Sequence, residues 1–231
     1  MRSNPKEFVV DIWSDYVCPW CWVAKRRFES ALESFPYKDS VRVNIRAYRL
    51  APNHAPEPMI DALKRKLGSP TSAVNMMNTV QQYGQSFGLD YCFETMLFGD
   101  TADAHILVKA VDDGEVKNSL VEALYQQSTT RGKSLFNRDS LESIAKSAGV
   151  SDESIRFAWS STQLRLLVQE DERSVAQTGS GVPFFVFNKE FSMSGAQRSE
   201  DFLEALNKMY FGKKGEEQLL TGQACGIDGR S

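Results

Sequence analysis

The sequence predicts an α/β protein whose sheet is built from two separated pieces of chain, with a large helical insertion between them. Three observations predict it. The first fifty residues run strand, helix, strand; residues 184–212 run strand, turn, strand, helix; and nearly everything between carries helical spacing. At 231 residues, 42% of them hydrophobic, the chain suits one large domain or one domain interrupted by a second.

Residues 7–13, EFVVDIW, are β-branched and aromatic with apolar side chains on both faces, the pattern of a central strand. From Trp20 onward, Val23, Ala24, Phe28, Ala31, Leu32 and Phe35 follow helical spacing, and Pro19 fits the first turn, where a missing N–H costs nothing. VRVNIRAYRL, 41–50, alternates as a second strand, and the proline-rich stretch 52–58 breaks the pattern. Segments 59–68 and 71–88 read as helices, each closed by glycine. Residues 88–98 are more extended and aromatic. Helical spacing returns over 101–112, 115–129, 140–148 and 152–177, with Ser151 as an N-cap for the last. Residues 184–187 and 190–194 are strands joined by an Asn188–Lys189 turn, and 198–212 is a closing helix. The remaining tail is rich in glycine and charge and is expected to be loose.

A net charge of -3 argues against nucleic acid as a partner, and the lack of a polybasic run argues against a membrane surface. No apolar segment is long enough to cross a bilayer. MRSNPKEFVVDIW has no apolar stretch followed by a small-residue cleavage site, so a cytoplasmic protein is expected. Four cysteines, Cys18, Cys21, Cys92 and Cys225, are too few for a disulfide scaffold; in a reducing compartment a close pair points to metal binding or catalysis.

Cys18-Pro19-Trp20-Cys21 falls where the first strand hands over to the first helix. Disulfide exchange needs two thiols close enough to bond, one of them ionisable and accessible. At a helix N-terminus, unpaired N–H groups and the macrodipole favour a thiolate at the first position, while the second lies within the first turn and is more covered. Cys18 is therefore the expected nucleophile and Cys21 the resolving thiol, with Pro19 and Trp20 beside the substrate. A zinc half-site is the competing reading. It needs further ligands, and His54 and His105 are far apart while Cys92 and Cys225 stand alone, so no metal is expected. A C-x-x-C at the β–α junction of a βαβ unit reads as a thioredoxin-like redox motif. Val182-Pro183 opens the later strand after GSG, and a cis bond is expected there, its backbone free to pair with a substrate segment.

VDIWSDYVCPWCWVAKRRFE, GVPFFVFN and SGAQ, falling in order, resemble the DsbA-like thioredoxin superfamily, specifically its FrnE branch; DYCFETMLFGDTADAHILVKA also resembles a segment of that branch, with Asp100 where an Asn is expected. The resemblance runs over about residues 7–210. It implies a thioredoxin-type fold with a helical insertion, dithiol–disulfide activity on protein or low-molecular-weight thiols without an organic cofactor, and family roles for Cys18, Cys21 and Pro183. The expected division is 1–54 and 179–215 for the thioredoxin-like domain, 55–178 for the insertion and 216–231 for the tail. Relatives often end in two nearby cysteines around Cys-Gly-x-Asp-Gly; here Cys225 is followed by Arg230 at the second place, so a free tail thiol is expected.

Asp11 could lie half-buried near Cys21 and take its proton, or stand at the strand's wet end. Asp15 is expected to shape the loop before the motif. Trp13, Trp22, Tyr91 and Phe93 read as core more readily than as a groove for unfolded chains, Trp20 as exposed, His105 as a packed helix histidine and Cys92 as a buried small apolar residue. Two other functions compete. Kappa-type glutathione transferases and hydroxychromene-carboxylate isomerases share the inserted architecture, but would not need Cys21. A non-enzymatic chaperone-like binder would need neither cysteine.

Overall fold

The computed structural model describes residues 8–176 and 181–212. Strand β1 (Phe8–Ser14) pairs in parallel with β2 (Val41–Ala47) and antiparallel with β5 (Phe184–Phe187), which pairs antiparallel with β6 (Phe191–Ser194). The order is β2-β1-β5-β6, so the two distant pieces of chain share one sheet and β1 is central. Between β1 and β2 lies α1 (Pro19–Glu33); α9 (Ser199–Phe211) closes the described chain.

The register explains the burial. Phe8, Val10 and Ile12 of β1 share one sheet face with Phe185 and Phe187, and α1 and α9 cover it with Phe28, Ala31, Phe202 and Leu206. The Phe185 and Phe202 rings lie 4.5 Å apart. On the opposite face, Trp13 packs with Phe184 and Val175. Asn188 and Lys189, left-handed at φ 49° and 61°, turn the β5–β6 hairpin; Glu190 donates its N–H to the Phe187 carbonyl at 2.9 Å, and Phe187 pairs with Phe191, so β6 starts one residue later than expected.

Between β2 and β5 the chain makes β3 (Glu57–Pro58), α2 (Met59–Leu67), α3 (Pro70–Gln85), β4 (Leu97–Phe98), α4 (Ala102–Lys109), α5 (Gly114–Thr129), α6 (Arg138–Ser147), α7 (Asp152–Ser160) and α8 (Thr162–Ala176). Gly68 ends α2 at φ 69°, a left-handed cap that glycine adopts without strain. The insertion's core is continuous with the start of α1: Tyr16, Val17, Trp22 and Val23 pack in one cluster with Leu107, Leu120, Leu124 and Ile144. The segment before and after the cysteine motif is thus a seam between sheet domain and insertion.

Some expected elements differ. The helix read over 152–177 is two, because Ser161 is extended at ψ 112° and its hydroxyl accepts the Leu164 N–H, stopping one helix and starting the next. The second of the pair, α8, lies on the sheet: the Trp13 indole donates to the Asp171 carbonyl and the Asp171 carboxylate accepts the Ala47 N–H at 2.9 Å. β2 ends at Ala47 rather than at 50, because its partner β1 ends opposite it at Ser14. In the aromatic stretch 88–98 only Leu97–Phe98 is strand, paired with Glu57–Pro58 in a separate small ladder. The tail and Cys225 lie outside the described residues.

Candidate active site

Cys18 is the N-cap of α1, held in extended backbone (φ -88°, ψ 112°), with Pro19 in the first turn and no acidic residue there to oppose the helix dipole. Two backbone bonds shape the motif. The Cys18 N–H donates to the Asp15 carbonyl and the Cys21 N–H to the Cys18 carbonyl, each at 3.1 Å. Both thiols are free. Cys18 is 5% exposed and Cys21 2%. Burial, then the Cys18 thiol, push the Cys21 thiol well above its ordinary range, a backbone bond from Asp15 works against this, and the Asp15 charge adds a smaller push upward.

The Val182–Pro183 peptide is cis, and the Cys18 thiol donates to the Val182 carbonyl at 3.7 Å, so the segment opening β5 lies against the first cysteine. A cavity of about 440 Å³ opens beside them, lined by Cys18, Pro19, Trp20 and Val182 on one side and by Leu63 and Met76 from the insertion on the other. Arg65 and Lys66 also line it. Trp20 is half-buried rather than exposed, because its ring packs against Tyr83 of α3 at 5.8 Å.

The insertion also grips the motif from behind. The Tyr91 hydroxyl donates to the Pro19 carbonyl at 2.8 Å, and the Trp22 indole donates to Glu122 at 3.1 Å while stacking on Tyr125. Trp13, Trp22, Tyr91 and Phe93 are all core residues.

Asp11 is not the acid of this site. Its buried carboxylate accepts from Arg46 Nε at 2.8 Å and Asn44 Nδ2 at 2.9 Å, on the sheet face that also carries Trp13. The carboxylate whose charge acts on Cys21 is that of Asp15. Asp15 is fully buried; it accepts the Thr101 hydroxyl and the Leu50 N–H, each at 2.7 Å, and lies 3.7 Å from His105 Nε2. His105 is buried, with Nε2 3.2 Å from the Tyr48 carbonyl and its ring against Tyr16. The contacts that Thr101, Tyr91 and Glu122 make with this region had no local sequence signal, since each arises only through packing of the insertion.

His54 is committed to Glu57 at 2.7 Å; Arg65 first and His54 second hold the Glu57 carboxyl down at about 2. Cys92 is half-buried, not buried. Its thiol donates to Glu94 at 3.5 Å, because its N–H is drawn to the Thr129 carbonyl and leaves the side chain toward the surface. Among the described residues no three His, Cys, Asp or Glu side chains are grouped to hold a metal ion, and no helix is long and apolar enough to cross a membrane.

A sheet joined from two chain segments, a cysteine pair at the first helix N-terminus and a cis-proline strand set against it define a thioredoxin-type fold with a helical insertion. The chain belongs to the DSBA-like thioredoxin domain family, whose model matches residues 9–207. It is similar to a "probable DsbA oxidoreductase" from Streptomyces coelicolor at 31% identity and TM-score 0.81, over 97% of this chain and 94% of that one. More distant likenesses, of fold alone, are to a 2-hydroxychromene-2-carboxylate isomerase (12% identity, TM-score 0.65, 90% and 98% covered) and to the cytosolic disulfide reductase DsbM from Pseudomonas aeruginosa (12%, 0.58, 91% and 99%). No curated protein matches the sequence.

Proposed function

We propose that the protein is a thiol–disulfide oxidoreductase of the FrnE branch, working through Cys18 and Cys21 on protein or low-molecular-weight thiol substrates in the cytoplasm. The observation that carries this reading is the placement of Cys18, at the N-cap of α1 with its sulfur against the carbonyl that precedes Pro183.

In the reducing direction the Cys18 thiolate attacks a substrate disulfide, forming a Cys18–substrate mixed disulfide and expelling one substrate thiolate. Cys21 then loses its proton, attacks the Cys18 sulfur and expels the second substrate thiolate. Two electrons pass to the substrate, and the pair becomes a disulfide; oxidation of a dithiol is the reverse. No organic cofactor takes part. Because burial holds the Cys21 proton, that step needs a base, and Asp15 is the carboxylate that acts on Cys21. Its acceptor bonds from Thr101 and Leu50 position it. Val182 offers its backbone to an extended substrate, and the apolar cavity beside Trp20 receives a neighbouring side chain.

The test is insulin reduction with wild type, Cys18→Ser and Cys21→Ser, alongside a glutathione-conjugation assay with Cys21→Ala. Loss of turnover in both serine variants is expected, with no conjugation. Conjugation that persists in Cys21→Ala would favour the transferase or isomerase reading instead. Chaperone activity that survives loss of both cysteines, without reductase activity in the wild type, would favour a binding protein.

A further inference from the structure

A cavity of about 540 Å³, larger than the one beside Cys18, lies over the sheet face opposite α1 and α9. The β1–β2 ladder sets its floor. Val9 pairs with Arg42 and Asp11 with Asn44, so these side chains share one face with Trp13 and Arg46. Lys109 of α4, Lys117 of α5 and Lys189 of the β5–β6 turn complete the wall. The turn is tied to the floor, because Asn188 Oδ1 accepts the Val9 N–H at 2.9 Å. The cavity thus joins the sheet to the insertion at a place that the cysteine chemistry does not use.

Its charge is one-sided. Arg42, Arg46 and the lysines at 109, 117 and 189 line it, against one lining carboxylate, Asp11. Asp171 of α8 supplies a second carboxylate, shared between Arg46 and Lys109. Arg46 also donates to Asp11 at 2.8 Å, so its guanidinium fork is already occupied. Lys117 and Lys189 make no ion pair among the described residues. Burial holds the Lys117 amine below its ordinary range; Asp112 opposes this, and the charge of Lys109 adds a smaller push in the same direction as burial. Like charges gathered round one cavity repel each other, and a cleft lined by one sign of charge concentrates ions of the other.

We propose that this cavity binds a compact polyphosphate-type anion, held by the ammonium groups of Lys109, Lys117 and Lys189. The volume lies within the range of small-molecule pockets, about 300–1,000 Å³. The donors set the chemical class. A planar carboxylate is matched best by an arginine fork, and the fork of Arg46 is taken. An ammonium group is a point charge with three donors, which meets tetrahedral phosphate oxygens from many directions. No aromatic side chain lines the cavity, so nothing there stacks on a nucleobase. The ligand is therefore a small phosphate-rich molecule recognised by its charge and not by a ring. Bound, it bridges the β5–β6 turn to α4 and α5.

The probe is inorganic tripolyphosphate, titrated into the wild-type protein by calorimetry at physiological ionic strength. One saturable site is expected, weakened about fivefold in Lys117→Gln and in Lys189→Gln, each the weight of roughly one ion pair. Lys146→Gln, on α6 and outside the lining, should bind as wild type does. Insulin reduction should be unchanged in all three variants, since none of these lysines lines the cysteine cavity. Citrate should bind about tenfold more weakly than tripolyphosphate, and ATP no more tightly. The ligand comparison uses the wild-type protein, so it stands even if a variant folds poorly. Absence of binding would overturn the proposal. So would binding that neither Lys117→Gln nor Lys189→Gln moves, which would be diffuse surface attraction. Citrate as tight as tripolyphosphate would overturn the phosphate assignment, and tighter ATP would mean that a base is recognised after all.

Discussion

Replacing Asp15 with asparagine probes two jobs, the anchoring that its hydrogen bonds show and the proton-acceptor role proposed for it. Its two carboxylate oxygens accept from different donors, Thr101 on one and the Leu50 N–H on the other. Asparagine keeps one acceptor and turns a donor toward the second partner, at full burial. That mismatch should cost about 1–3 kcal/mol of stability. The kinetic effect has two opposing parts. Removing a general base typically slows a proton-transfer step by roughly 100-fold or more. Removing a negative charge favours the Cys21 thiolate, but that charge is the smallest of the influences on Cys21 and lies behind burial and the Cys18 thiol. A net slowing on the order of 100-fold is therefore expected. The assay is single-turnover: Cys18 is loaded with thionitrobenzoate, and its coloured release on attack by Cys21 is followed against pH. The deficit should shrink as pH rises, since a thiol that ionises unaided needs no base. Thr101→Val keeps the carboxylate and loses one bond, at about 1 kcal/mol, with release within about threefold of wild type. Release at the wild-type rate in Asp15→Asn, or faster, would refute a base role.

Three other expectations follow from the same geometry. Tyr91→Phe removes the buried hydroxyl bond to the Pro19 carbonyl and should lower stability by about 1 kcal/mol in denaturant titration; an unchanged midpoint would show that the motif does not depend on the insertion's grip. Cys21 is raised in the fold, so its contribution to the reduced protein is fully present below the ordinary thiol value of 9.0 and is lost as pH climbs from there toward the folded value. Reduced wild type should therefore weaken above that pH by up to about 1.4 kcal/mol per unit relative to Cys21→Ala, and parallel pH–stability curves would contradict it. Asp100→Asn removes a charge that faces Arg49, while Arg49 keeps its two bonds to Glu172 and the Asn53 and Ala102 N–H groups still need acceptors. A loss of about 1 kcal/mol is expected; a gain would mean that the acid is the poorer residue at that place.

The parts of the fold that local pattern determines were legible. β1 carries apolar residues on both faces because it is central, and the Cys18–Cys21 motif sits at the helix start because Pro19 can begin a helix and the apolar spacing starts just after it. The Asn188–Lys189 turn was visible for a similar local reason. What failed depends on a choice between faces or on distant packing. A strand apolar on both sides gives no clue to which way Asp11 points, and its partner Arg46 is a neighbour only across the β1–β2 ladder. Asp15 read as a loop-former because its ligands, Leu50 and Thr101, lie 35 and 86 residues away. Trp20 is partly covered by Tyr83, 63 residues on, which no spacing near the motif announces. The break at Ser161 turned on one hydroxyl winning over helix continuation, a small difference that periodicity does not register.

The central claim is that Cys18 attacks and Cys21 resolves. The most direct measurement is to mix Cys21→Ser and, separately, Cys18→Ser with a disulfide-containing peptide and map the trapped adducts by mass. A stable mixed disulfide on Cys18 is expected in the first variant and little or none on Cys21 in the second, since Cys21 is the more deeply buried thiol and its burial favours the protonated form. Adducts on Cys21 that form as fast as those on Cys18 would contradict it.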